Sequence, residues 1–373
     1  MELSAEDALR INVLLASPIE AVRIDESSMT LYALSEKGEA RVKLNPNCRD
    51  ESYLRRVREA LSSHVLGSPG GYPVYLKRWT RMGQTRDGML ESLLLLGEPE
   101  AVVAVVNACG ITSEIARRAW WASQSPENAR CMLRQKPVAA GEMGNVLADF
   151  LVEFLPFEEE AKDIIDSVRL VLQPGLISAE TRQKIWEKSK HKNAYYVGFL
   201  HSVPDDLPDK PSPHPDWQQA LAKLEGLLAD DNPYATQICR LLSAEGQSFL
   251  ATVETVLQRP SNQDVIVELF LAIASYFESL AENMCKYEDV NEILKSVDEA
   301  LAACRGGQDA LDDVLSAIPK LDQQVRAMLV LSNVDEPLVN PIFSRTDAIG
   351  SVMRKKLLPV SEPLQEQINI LRK

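Results

Sequence analysis

Aromatic residues are scarce in this sequence, and the scarcity bears on the fold class. Phe, Trp and Tyr make up 6% of the 373 residues, whereas hydrophobic residues as a whole make up 45%. Because β proteins draw on aromatic and β-branched residues, a hydrophobic content dominated by Leu and Ala favours helices. The sequence therefore predicts a mainly α protein, long enough for two or three domains.

Long apolar runs are also missing, and we expect no secretory leader. The run from Leu93 to Leu96 is far shorter than the roughly 20 residues of a membrane-spanning helix. The first residues are acidic, whereas a leader begins with basic residues followed by an apolar stretch. We therefore expect a cytoplasmic protein that does not associate with membranes.

Motifs for catalysis, metals and cofactors are missing as well. The six cysteines occur singly, without a CxxC pair, and the four histidines form no i, i+4 pair. The glycine-rich stretch 67–71 lacks the Gly-Lys-Ser/Thr ending of a phosphate loop and is not a GxGxxG fingerprint. No catalytic, cofactor-binding or metal-binding residue is therefore predicted, and no cofactor is expected.

We interpret the cysteines as reduced and mostly packed as small apolar groups. His201 and His214 flank a proline-rich segment, and we interpret them as exposed loop residues. A Cys–His nucleophile pair stays open as an alternative, because such residues need only be close in space.

The charge is unevenly distributed. With a net charge of −14, attraction of the whole molecule to nucleic acid is not expected. Residues 49–86 nevertheless carry eight basic and three acidic side chains, a net charge of +5, whereas the helices after Pro204 are acidic. This asymmetry predicts a local anion-binding face.

A basic and aromatic segment follows the glycine-rich stretch. If residues 72–81 are extended, alternate side chains lie on one face, and aromatic rings beside Lys and Arg bind a phosphate backbone, stacked bases or an acidic protein. A purely structural connection is the other interpretation, since glycine and proline mark turns first. The predicted binding residues are Tyr72, Tyr75, Lys77, Arg78, Trp79 and Arg81.

One pattern occurs twice and indicates a helical repeat. Thr112 lies two residues after Gly110, and Ser178 lies three residues after Gly175. Each precedes Glu by two positions and Trp by eight. Their offset of 66 residues equals two units of about 33, within the range of helical-repeat periods. Gly144-Asn145 lies midway and marks a fainter third cap.

The tryptophans of this region have two interpretations. Trp120, Trp121 and Trp186 are wedges between helices, since large aromatic residues serve burial first. If they line the concave face of a curved array instead, they mark a protein-binding groove.

The predicted architecture is a small α+β N-terminal module, a short HEAT-like helical-repeat array and a C-terminal helical bundle. Strands are expected near 21–24, 30–34 and 39–44, and apolar and polar residues alternate along the last of them. The boundaries are 1–88 for the module, 89–203 for the array, 204–215 for an exposed proline-rich linker and 216–373 for an acidic bundle.

Five segments resemble the DsrS family, whose members are encoded with the dissimilatory sulfite reductase (dsr) genes of sulfur-oxidising bacteria. The segments are 64–84 (HVLGSPGGYPVYLKRWTRMGQ), 93–106 (LLLLGEPEAVVAVV), 116–122 (ARRAWWA), 150–160 (FLVEFLPFEEE) and 192–198 (KNAYYVG). The resemblance implies a cytoplasmic accessory or regulatory protein of the oxidation of stored sulfur. It implies no catalytic residue.

We therefore expect a non-enzymatic accessory protein of the dsr system that acts by binding another macromolecule, with a protein as the favoured partner. Two alternatives stay open. One is a regulator that binds RNA or DNA through the basic segment 49–86, including Arg55, Arg56 and Arg58. The other is an enzyme with an unrecognised cysteine-based site that handles sulfur.

Overall fold

The computed structural model describes residues 3–73, 88–283, 287–304, 309–344 and 350–373. Most of these residues are helical, and the strands among them form one sheet near the N-terminus. The prediction of a mainly α protein with an α+β N-terminal module is therefore confirmed. Internal contacts divide the chain into two compact units, Met1–Phe154 and Leu155–Lys373.

The sheet of the first unit is an antiparallel meander, and its strands agree with the predicted ones. Its strands are β1 (Ile19–Asp25), β2 (Thr30–Ser35) and β3 (Gly38–Lys43), in that order across the sheet. Gly38 closes the tight turn between β2 and β3 with a φ of +114°, which glycine adopts without strain. Leu31 is fully buried, because the alternation along β2 turns it towards the core.

Helices α1 (Ala5–Leu15) and α2 (Asp50–Leu66) pack with the sheet in one apolar core. A buried carboxylate, that of Asp7, ties these elements together. Its oxygens accept hydrogen bonds from the Tyr53 hydroxyl and, at 2.7 Å, from the Asn45 main-chain N–H. Burial by itself raises the pKa of Asp7, but these hydrogen bonds outweigh burial and the pKa is lowered.

The remaining helices of the first unit are short, and proline marks the start of two of them. Pro99 and Pro126 each occupy the first turn of a helix, a position that needs no main-chain N–H. The predicted cap at Gly144 is wrong, because the helix begins at Glu142 and Gly144 lies buried inside it. These helices are α3 (Gly88–Leu93), α4 (Pro99–Val106), α5 (Ser113–Ala122), α6 (Pro126–Leu133), α7 (Lys136–Ala139) and α8 (Glu142–Phe154).

The described part of the second unit is built from helices. Short 3₁₀ turns, such as Leu155–Phe157 and Pro319–Leu321, separate some of them. The helices are α9 (Ala161–Val171), α10 (Ala179–Lys188), α11 (Ala194–Ser202), α12 (Trp217–Ala229), α13 (Pro233–Leu242), α14 (Ala244–Gln258), α15 (Gln263–Tyr276), α16 (Val290–Cys304), α17 (Ala310–Ala317), α18 (Asp322–Ser332), α19 (Asn340–Phe343) and α20 (Gly350–Arg372).

Helix α11 lies at the centre of the second unit. Its residues from Ala194 to Leu200 are all buried, and it packs against α9, α14 and α15. A helix that is apolar on all sides belongs in the interior of a helical assembly. Gly198 permits the close approach of α9, since a Cβ there would lie 2.6 Å from the Val168 side chain. The floor of the candidate site described below is therefore held by a tightly packed helix.

Both repeat copies are capped as predicted. Thr112 Oγ1 accepts from the Ile115 N–H at 3.2 Å, and Ser178 Oγ accepts from the Thr181 N–H at 3.1 Å. The copies lie in different units, and the division after Phe154 falls inside the range 89–203 that was predicted as one array.

The proline-rich segment 204–215 lies within the second unit and is fixed to it. Leu207 is buried, and Asp205 and Asp206 form ion pairs with Arg240 and Arg182. Many of the remaining residues are exposed, as predicted.

Candidate functional site

The predicted binding segment is described only at its start. Gly71, Tyr72 and Pro73 form a helical turn rather than the predicted extended chain. The Tyr72 N–H donates to Glu98 Oε2 at 2.9 Å, and a Cβ on Gly71 would lie 2.2 Å from that carboxylate. Burial raises the pKa of Tyr72. These contacts favour a structural connection at Tyr72; the other predicted residues lie outside the described ranges, namely Tyr75, Lys77, Arg78, Trp79 and Arg81.

The basic side chains of α2 have partners within the first unit. Arg58 Nη2 lies 2.5 Å from Glu26 Oε1, and Arg55 Nε lies 3.7 Å from Glu59 Oε1. Arg55 and Arg58 are thus engaged in ion pairs. The helix itself carries no net charge, since its three arginines are balanced by Asp50, Glu51 and Glu59. Trp121 is also engaged, because its indole N–H donates to Glu39 Oε2 at 3.0 Å.

A groove on the second unit is lined by described residues only. Its volume is about 410 Å³, within the range of roughly 300–1,000 Å³ that ligand sites occupy. Three walls meet there: α10 with α11, the proline-rich segment, and α14. The lining residues are Trp186, Tyr196, Pro208, Asp209, Lys210, Pro211, Ser248, Ala251, Thr252 and Thr255.

Two aromatic rings form the floor of the groove. Trp186 is 2% exposed and Tyr196 is 8% exposed, and their rings meet edge to face at 4.8 Å. Phe199 supports Trp186 in the same manner from 4.9 Å. Such aromatic pairs prefer this geometry, which fixes the floor before anything binds. The predicted burial of Trp186 is confirmed, and part of its surface also lines the groove.

The Trp186 indole has a further property. Its Nε1 is buried, and no hydrogen-bond acceptor lies within reach among the described residues. Unsatisfied buried donors are uncommon in folded proteins, and functional sites are where local rules of stability are broken. The Trp186 indole N–H is one such unsatisfied donor.

The hydroxyl groups of the α14 wall present oxygen lone pairs. Ser248 donates its proton to Asp209 O at 2.5 Å, Thr252 donates to Ser248 O at 2.9 Å, and Thr255 donates to Ala251 O at 2.8 Å. Because each proton is engaged by a main-chain carbonyl, the hydroxyl oxygens can act towards a ligand only as acceptors.

The proline-rich wall carries one acid and one base. Asp209 is exposed, and Lys210 Nζ is directed towards Asp206, 4.0 Å from its Oδ1. Burial raises the pKa of Tyr196, and the charge of Asp209 raises it further. The Asp209 charge and the Tyr196 side chain therefore interact in this part of the groove.

The fixed conformation of the proline-rich segment gives this wall its position. Asp205 forms a double ion pair with Arg240, at 2.8 and 2.6 Å, and Asp206 Oδ2 accepts from Arg182 at 2.7 Å. Bidentate carboxylate–arginine pairs are both strong and geometrically specific. The segment predicted as a linker is thus one wall of the groove.

The histidines differ from their prediction. His201 lies in α11 with its side chain 11% exposed, and its Nε2 is 3.2 Å from Glu268 Oε2. His214 is buried, and its Nδ1 accepts from the Asp216 N–H at 3.2 Å. The prediction of exposed loop histidines is therefore wrong for both, because each is packed into the second unit.

The described cysteines occupy varied environments. Cys239 is buried, and burial raises its pKa to about 11. Cys109 is exposed, whereas Cys48, Cys131 and Cys304 are half-buried. The described residues contain no cluster of His, Cys, Asp and Glu suited to a metal ion. No described helix is long and apolar enough to cross a membrane.

The groove was not predicted, although the sequence contains one signal of it. Ser248, Thr252 and Thr255 follow the i, i+4, i+7 spacing, so they form a polar stripe on an otherwise largely buried helix. Comparison with family models, with curated proteins and with solved structures gives no match for this chain.

Proposed function

We propose that this protein is a cytoplasmic accessory protein of dissimilatory sulfur oxidation that acts by binding a protein partner in the groove of the second unit. The groove itself carries the proposal of binding: an open cavity of about 410 Å³ with a rigid aromatic floor and a polar rim. Buried aromatic anchors surrounded by polar rims are typical of protein-binding surfaces. The resemblance of five segments to the DsrS family supports the physiological setting.

The character of the walls supports a macromolecular partner. Thr255 and Pro211 are exposed at the rim, while Thr252 and Ser248 are buried below them. A side chain of a partner can enter such a groove while its main chain remains outside. The ion pairs of Asp205 and Asp206 hold the proline-rich wall in place, which lowers the entropy cost of binding.

A blocking substitution tests this function. Thr255→Trp places a bulky ring at the rim, and Gln218→Trp places the same ring on the exposed surface of α12, away from the groove. Each variant serves as bait in a lysate of a sulfur-oxidising bacterium, with and without nuclease, and captured proteins are identified by mass spectrometry. We expect a protein that is retained by the wild type and by Gln218→Trp, and lost with Thr255→Trp.

Two results would contradict the proposal. Equal capture by both variants would show that the partner does not use the groove. Recovery of nucleic acid, with loss of all captured protein after nuclease treatment, would support the alternative of a nucleic-acid-binding regulator.

A further inference from the structure

The groove lies on the acidic unit of the chain. Residues 155–373 contain 22 Lys and Arg against 34 Asp and Glu, a net charge of −12, whereas residues 1–154 have a net charge of −2. A strongly acidic unit attracts basic partners and repels acidic ones before contact is made. The charge of the second unit therefore favours a basic ligand in the groove.

The local chemistry agrees with the overall charge. The hydroxyl oxygens of Ser248, Thr252 and Thr255 act as acceptors, since their protons are engaged by main-chain carbonyls. The Asp209 carboxylate lies on the opposite wall, and the Tyr196 ring forms part of the floor. Acceptors, a carboxylate and an aromatic face together favour a cation.

Lys210 is the one cation among the lining residues, and its position limits its effect. Its Nζ is 4.0 Å from Asp206 Oδ1, and its side chain is largely exposed to solvent. The ammonium is thereby held near Asp206, which does not line the groove. The Asp209 carboxylate is thus left to interact with a ligand.

We infer that the groove recognises a lysine or arginine side chain on a basic segment of the partner protein. The aliphatic stem lies against the aromatic floor, and the cationic end reaches the Thr252 and Thr255 oxygens and the Asp209 carboxylate. This inference rests on the proposed function and specifies which part of the partner enters the groove.

A labelled hexalysine peptide is a suitable probe, with fluorescence anisotropy as the measurement. Its fully acetylated form has the same length but no side-chain cations. We expect the acetylated peptide to bind at least about tenfold more weakly, as for the loss of a charge-assisted contact. Equal binding of the two peptides would overturn the inference.

Substitutions separate recognition in the groove from general attraction to an acidic surface. Asp209→Asn and Glu225→Gln each remove one negative charge, but Glu225 lies exposed on α12 outside the groove. We expect Asp209→Asn to weaken hexalysine binding about three- to tenfold, and Glu225→Gln to change it less than twofold. Equal effects of the two would mean that only net charge matters, against the inference.

Lys210→Gln removes a positive charge from the groove, so its expected effect on hexalysine binding is opposite in sign to that of Asp209→Asn. If the groove takes a cation, removal of Lys210 leaves hexalysine binding unchanged or strengthens it. Weaker hexalysine binding, or tight binding of hexaglutamate that depends on Lys210, would overturn the inference. Spermidine binding as tight as hexalysine, with the same loss in Asp209→Asn, would assign the groove to a free polyamine instead.

The two proposals fail in different ways. Loss of partner capture in Thr255→Trp, together with equal binding of hexalysine and its acetylated form, would retain the groove as a docking site but reject the cationic side chain. Unchanged capture in Thr255→Trp would reject the docking site itself.

Discussion

Gly198 offers a quantitative test of the packing that holds the groove floor. A Cβ at this position would lie 2.6 Å from both Cβ and Cγ1 of Val168 and 3.1 Å from the Ile165 carbonyl oxygen. Because carbon atoms pack at about 3.5–4.0 Å, Gly198→Ala requires α9 and α11 to separate by about 1 Å. Overpacking of this kind costs about 1–3 kcal/mol.

The same substitution also has a favourable component. Alanine is better than glycine in a helix interior by about 0.5–1 kcal/mol. The net expectation for Gly198→Ala is therefore a destabilisation of up to about 2.5 kcal/mol, with a middle value of about 1 kcal/mol. Gly226→Ala is the matched control, because Gly226 lies within α12 and a Cβ there meets nothing within 4 Å.

Urea unfolding followed by circular dichroism provides the assay. Both glycines lie in the second unit, so the two variants report on the same transition. We expect a lower urea midpoint for Gly198→Ala. For Gly226→Ala we expect a higher midpoint, which corresponds to an increase of about 0.5–1 kcal/mol in the free energy of unfolding. A stabilised Gly198→Ala variant would refute the close packing of α9 on α11.

Three further predictions concern the pH dependence, the thiols and the buried carboxylate. Hydrogen bonds from Arg117 lower the pKa of Glu114 from its ordinary value of 4.5 to about 2. Glu114→Gln should therefore lower the unfolding free energy at pH 7 by up to about 1 kcal/mol, since the pair is half exposed. This difference from the wild type should vanish in acid unfolding curves as the pH falls from 4.5 to 2. A thiol reagent at pH 8 should modify exposed Cys109 quickly and buried Cys239, whose pKa is about 11, only after unfolding; rapid labelling of Cys239 in the native protein would contradict its burial. Asp7→Asn should lower the unfolding free energy by about 1–3 kcal/mol in urea titrations, and an unchanged value would argue against the hydrogen-bonded network of that carboxylate.

The N-terminal module was predictable because its signals are local. Strand β3 alternates apolar and polar residues and joins β2 at the turn of Gly38. Outside the module, the caps of α5 and α10 are set in the same local way by Thr112 and Ser178. Each of these features depends on residues a few positions apart. Such features can be predicted from sequence alone.

The groove was not predictable for the opposite reason. Its lining extends along the chain from Trp186 to Thr255, and only the packing of the second unit brings these residues together. The proline-rich segment has the composition of a linker, yet the ion pairs of Asp205 and Asp206 fix it as a wall. Ion-pair partners that are distant in sequence therefore determine the conformation of this segment.

The division between the units has a similar explanation. The 3₁₀ turn Leu155–Phe157 follows directly after α8, so the chain shows no loop at the boundary. Pro156 is the local sequence signal of this boundary, but many other prolines of the sequence lie inside one unit or the other. Contacts between distant residues, rather than composition, separate the units.

Crosslinking from within the groove is the most direct test of partner binding there. A photoreactive benzoylphenylalanine replaces Thr255 at the rim or, as the control, Gln218 on α12, and each protein is irradiated in a lysate of a sulfur-oxidising bacterium. We expect a single protein crosslinked from position 255, absent from position 218 and reduced by excess hexalysine peptide. The same crosslinks from both positions, or none from position 255, would contradict a partner-binding groove on the second unit.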